Sequence, residues 1–97
     1  MRLNCEMTAL YNVVMNQFHE DRECSDAEKA VAALKMGDNI FLIIETDNTG
    51  ESLSPYEFII AVGGRDVGYK TTEPIPELTQ PIFEEMWRWA VDVLNSR

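Results

Sequence analysis

Apolar residues along this chain follow two different spacings, and each predicts an element. Leu3, Met7, Leu10, Tyr11, Val14, Met15 and Phe18 recur in steps of three and four. On a helical wheel they share an arc of roughly 140°, the one-sided stripe of an amphipathic helix. The pattern predicts a first helix from about Leu3 to Glu20. Its opposite face, with Cys5, Thr8, Asn12, Asn16 and His19, is polar but carries little charge.

After a polar joint at 20–24, Ser25-Asp26-Ala27-Glu28 has the form of a capping box, with a hydroxyl at the cap and a carboxylate three residues on. Ala27, Ala30, Val31 and Leu34 then form a narrow stripe of mostly small residues, and Gly37 is placed to end a helix in a left-handed turn. A second helix is therefore expected between Ser25 and Gly37.

Beyond it the spacing shortens. Ile40 to Ile44 is apolar at every position, so a strand from Asn39 to Thr46 should be central, or covered on both faces. Asp47 to Ser52 is turn chemistry. Tyr56 to Val62 reads as the next strand, with Pro55 at its entrance. Gly63-Gly64-Arg65-Asp66 turns the chain, and Val67 to Thr72 is a short third strand weakened by Gly68. Pro74-Ile75-Pro76 breaks regular structure before a last helix from Gln80 to Asn95. Thr79 stands at its cap position, Pro81 in its first turn, and Glu84 and Glu85 near its positive end. The expectation is one α+β domain spanning residues 1–97. It would be a small antiparallel two- to three-stranded sheet packed by N-terminal helices and a C-terminal helix, in the order α-α-β-β-(β)-α.

The last helix is apolar over roughly 200° of its circumference, about twice what one contact with a sheet uses. Ile82, Met86, Trp89 and Val93 form one cluster, and Phe83, Trp87, Val91 and Leu94 an adjoining one. Two readings are open. The helix could lie in a groove between the sheet and the first helix. Alternatively, the cluster with Trp87 and Val91 is a contact surface, as tryptophan is enriched at binding hot spots.

Charge changes the picture most. Seventeen acids against eight bases give a formal net charge of -9. Nucleic acids and anionic membranes attract proteins through Lys and Arg, so neither is an expected direct partner. A basic protein surface is. No run of about 18 apolar residues predicts a membrane span. The first residues lack the hydrophobic region of a secretion signal, and a cytoplasmic location with two free thiols is expected.

Catalytic and metal chemistry leaves no signature. Cys5, His19 and Cys24 lack the closely spaced ligand pairs of a zinc site. Asp47-Asn48-Thr49-Gly50-Glu51 lacks the distal bidentate Glu of a calcium loop. The run Gly63 to Gly68 precedes an extended segment, not the helix start of a phosphate loop. The single His has no fixed neighbour that would make it the base of a nucleophile. No catalytic, cofactor or metal residue is assigned.

The acids themselves are clustered. Glu20, Asp21, Glu23, Asp26 and Glu28 lie in one segment, Glu45, Asp47 and Glu51 around the hairpin loop, and Glu73, Glu77, Glu84 and Glu85 around the entry to the last helix. All of these except Glu28 and Glu45, together with Trp87 and Val91, are the candidate partner-binding residues. Carboxylates spaced over a rigid fold can imitate nucleic-acid phosphates in the Lys/Arg groove of a nucleic-acid-processing protein. Small size, acidity and the lack of a catalytic motif form the profile of phage and mobile-element inhibitors of host nucleases, restriction or CRISPR systems. The alternative is a homodimeric interaction module using the broad apolar face of the last helix.

Overall fold

In the computed structural model the elements run α1 (Arg2–Cys24), β1 (Lys29–Gly37), β2 (Ile40–Asp47), β3 (Tyr56–Val62), β4 (Arg65–Thr71) and α2 (Gln80–Asn95). The structure describes residues 2–24, 29–47, 55–75 and 77–97, with side chains at 7–20, 30–46, 55–75 and 77–97. The class is α+β, as the sequence implies. The described elements number two helices and four strands, in the order α-β-β-β-β-α.

The second helix is the correction. Residues 29–37 form strand β1, antiparallel to β2, with Ala30 opposite Thr46, Ala32 opposite Ile44 and Leu34 opposite Leu42. Ala30, Val31 and Leu34 fit a helical step, but Ala30, Ala32 and Leu34 equally fit a step of two. These three are buried, while Val31, Ala33 and Lys35 are exposed. Alanine favours helix in isolation, yet pairing with the very apolar β2 outweighs that preference. The capping box at 25–28 lies outside the described residues. Gly37 ends a strand, leading through Asp38 and the left-handed Asn39 (φ 56°) into β2. The first helix also continues past Glu20 to Cys24.

The four strands form an antiparallel meander in the order β1-β2-β3-β4. Gly63 and Gly64 make the β3–β4 turn with φ of 59° and 84°. Two consecutive positive φ angles fit the right-handed twist of a tight hairpin, and glycine adopts them without a Cβ penalty. Arg65 and Asp66, expected in this turn, belong to β4. One sheet face buries Ala30, Ala32, Leu34, Leu42, Ile44, Phe58 and Ile60 against Val14 and Phe18 of α1 and Phe83, Met86 and Ala90 of α2. Both helices therefore cover the same face.

α1 also closes an edge. Gln17 donates from Nε2 to the Ala33 carbonyl at 3.0 Å, and its Oε1 accepts from the Ala33 N–H at 2.8 Å. Ala33 lies on β1, the first strand of the sheet. The side-chain amide thus takes the place of a neighbouring strand, blunting an edge that would otherwise template association.

α2 lies beside α1 on this face, touching α1 on one flank and the sheet on the other. Phe83 stacks at a tilt on Tyr11 of α1, with ring centroids 6.0 Å apart. The Tyr11 hydroxyl donates to the Leu78 carbonyl at 2.8 Å, and Gln80 Nε2 donates to Thr8 Oγ1 at 2.9 Å. On its other flank Val93 meets the sheet at Gly68, where an added Cβ would stand 3.2 Å from both Val93 Cγ1 and Ile60 Cδ1. Gly68 therefore lets the helix approach the sheet closely. Thr79 occupies the cap position, but its side chain makes no capping hydrogen bond, and the first turn holds no acid.

Replacing Gly68 with Val should crowd this contact and destabilise the fold by about 1–3 kcal/mol, as overpacked cores are. Chemical denaturation checks this. A variant as stable as the parent would mean that α2 is not held against β4 at this point.

Candidate functional site

Antiparallel connectivity gathers residues that are far apart in sequence. The end of β2, the start of β3 and the end of β4 lie at one end of the sheet, with the start of β1 paired to Asp47 through Lys29. α1 runs down to the same end: the rings of Phe18 and Tyr56, the first residue of β3, are 6.1 Å apart and edge to face. The helical turns after Phe18 carry Glu20, Asp21 and Glu23, and Glu20 is exposed. Glu45 and Glu57 sit directly opposite one another on β2 and β3. Like charges facing across a ladder are unfavourable. Glu73, exposed, follows the end of β4. Arg22, Lys29 and Lys70 are the bases in the same backbone segments.

This end is braced by hydroxyls. Thr46, buried, donates to the Pro55 carbonyl at 3.2 Å. Thr72 Oγ1 accepts from the Tyr56 N–H and lies 3.1 Å from the Tyr56 carbonyl, to which it donates. These bonds tie the end of β2 to the approach to β3, and the start of β3 to the segment after β4.

Glu20, Asp21, Glu23, Asp47 and Glu73 thus belong to one end, and Glu57 joins them, a residue that the sequence clusters did not include. Asp26 and Glu51 lie outside the described residues. The remaining candidates sit elsewhere. Glu84, Glu85, Trp87 and Val91 are on α2, whose start is tied to Thr8. Thr8 is twelve residues up α1 from Glu20, roughly 18 Å by helical rise. Trp87 is half-buried, packs against the core, and its ring lies 6.2 Å from that of Phe83. Trp89 likewise packs against the core, so much of the broad apolar arc of α2 is used inside the fold.

Among the described residues, the exposed large apolar side chains other than Val13 lie on the uncovered sheet face. Phe41 and Val31 are each 39% exposed and Tyr69 is 59% exposed, with Ala33, Ile43 and Ile59 between them. Their signal was the run Ile40–Ile44, apolar at both parities. It announced a strand with two apolar faces without saying that only one would be covered.

Among the described residues no three His, Cys, Asp or Glu side chains group as metal ligands, and no helix is long and apolar enough to cross a membrane. Comparison with family models, curated proteins and solved structures gives no match. Function is therefore argued from the site alone.

Glu77, exposed, leaves a mark on Tyr11. Burial holds the Tyr11 hydroxyl above its ordinary value of 10.0, and the charges of Glu77 and Tyr56 push it the same way. The folded chain keeps this proton more tightly than the unfolded chain does. The stability so gained is complete below pH 10 and is lost as pH rises through the folded value. Tyr11→Phe should lower stability at neutral pH by about 0.5–1.5 kcal/mol, because the Leu78 carbonyl loses its donor. It should also flatten the decline above pH 10 relative to the parent. Urea unfolding from pH 7 to about 11 measures both, and parallel curves for the two proteins would refute the assignment.

Proposed function

We propose that this chain is a non-enzymatic acidic binding protein, which engages the basic groove of a nucleic-acid-handling protein and so inhibits or modulates it. The observation that supports this reading is the convergence of Glu20, Asp21, Glu23, Asp47, Glu57 and Glu73, from α1, β2, β3 and the segment after β4, at one end of the sheet. A phosphate mimic needs negative charges at fixed positions on one surface, and the strand ladder fixes the backbone at Asp47 and Glu57. The net charge of -9 steers the encounter toward positive surfaces and away from nucleic acid itself. A profile shared with phage and mobile-element inhibitors is consistent with this, and a cytoplasmic setting would suit such a role.

The test is affinity capture followed by competition. The bound chain should retain a nucleic-acid-binding protein, and duplex DNA or RNA should displace it. Retention should fall about tenfold or more between roughly 50 and 200 mM salt, as contacts that replace phosphates do. Combined Glu20→Lys, Asp21→Lys and Glu23→Lys substitution should weaken capture more than Trp87→Ala. Salt-insensitive capture, or the reverse ranking of the variants, would defeat the proposal.

A further inference from the structure

We propose that the uncovered face of the sheet seats a second copy of this chain, the two sheets meeting face to face about a two-fold axis that runs along the strands. This surface adjoins the acidic end at the row of Glu45 and Glu57, and the inference does not depend on the partner proposed there.

The register of the four strands makes this face complementary to itself. Pairing across all four strands places Ala33, Ile43, Ile59 and Tyr69 in one row on this face. The next row reads Lys35, Phe41, Ala61 and Asp66. The register shift on β4 after Gly68 keeps Asp66 in that row: Val67 is the extra residue and packs toward the core. A two-fold axis along the strands sets each row against its own reverse. Tyr69, the most exposed large apolar side chain among the described residues, then meets Ala33, which is exposed and small. Ile43 meets Ile59. Phe41 meets Ala61, the lower point of its row. Lys35 of one copy meets Asp66 of the other. Large side chains thus face small ones, and opposite charges face each other.

Within one chain Lys35 and Asp66 stand at opposite ends of their row, three strand spacings or roughly 14 Å apart. Neither therefore serves as the other's partner inside the fold. The same symmetry sets Glu45 against the Glu57 of the second copy, which opposes association, and so does the net charge of each chain.

Area sets the scale. Four strands spaced about 4.8 Å apart and about seven residues long present roughly 450 Å² of face, or about 900 Å² for the pair. That lies below the size of stable interfaces and within the range of reversible ones. A dissociation constant on the order of 10–100 μM is expected.

Sedimentation equilibrium in about 0.15 M salt tests this, since long-range repulsion is screened there while contact pairs survive. The 11.1 kDa chain should approach twice that mass as its concentration passes the dissociation constant. Tyr69→Asp should raise the constant about tenfold or more. Lys35→Asp and Asp66→Lys should each weaken association severalfold, and the two together should restore it, because the pair is rebuilt with its signs exchanged. All three residues are exposed, so thermal unfolding should show intact folds. A monomer up to about 0.5 mM would overturn the proposal. So would a dimer unaffected by Tyr69→Asp, or single charge reversals that the double variant does not rescue. A monomer would leave this face to a different protein.

Discussion

A four-stranded sheet has two faces, and the two helices of this chain lie on the same one. That allocation depends on β2. Ile40 to Ile44 makes it apolar toward both sides, so it takes the centre of the meander and drives its neighbours to pair with it. Leu42 and Ile44 build the core beneath α1 and α2, while Phe41 and Ile43 remain on the far side. α2 must still find room for its wide apolar arc. It does so by wedging between α1 and β4, with Gly68 yielding the space. The apolar surplus of this sequence is therefore consumed in the helical layer and left over on the sheet. From the sequence pattern alone, both placements of the α2 surplus are open.

Legibility followed the strength of local periodicity. The α1 stripe predicted Met7, Val14 and Phe18, all buried, because seven residues at one helical phase have no competing interpretation. The bounds of β3 and α2 were legible for the same reason, helped by Pro55 and Pro81 at their entrances. β1 was not. Ala30, Ala32 and Leu34 are small or unbranched, good helix formers, and few enough to satisfy two periods at once. What decides them is the partner: a half-buried segment of this kind takes the structure of the surface that it must cover. Convergence of the acids was illegible in principle. Charge clusters can be counted along a chain, but only the meander and the Phe18–Tyr56 contact bring α1, β2 and β3 to one end.

The fold tolerates this concentration of charge because its opposing terms are short-ranged and buried. Repulsion between exposed carboxylates is screened over about 8–10 Å in physiological salt. The hydroxyl braces of Thr46 and Thr72, and the edge-to-face contact of Phe18 with Tyr56, act where water does not compete as well. Among the described residues every buried side-chain polar atom has a hydrogen-bond partner, so the core does not add to the strain of the charged end.

The two proposed surfaces share one row. Glu45 and Glu57 close the apolar face on the side where the acidic end begins. A two-fold axis along the strands leaves the acidic ends of both copies pointing the same way and brings these four carboxylates together. Association through the sheet would then be opposed most strongly at the place where a basic partner would bind. A partner that neutralises that row removes the repulsion, and by linkage the paired chains must bind such a partner more tightly than the single chain does. The coupling needs no change of conformation. It follows from placing like charges at the margin of an apolar face, and it vanishes if Glu45 and Glu57 are made neutral.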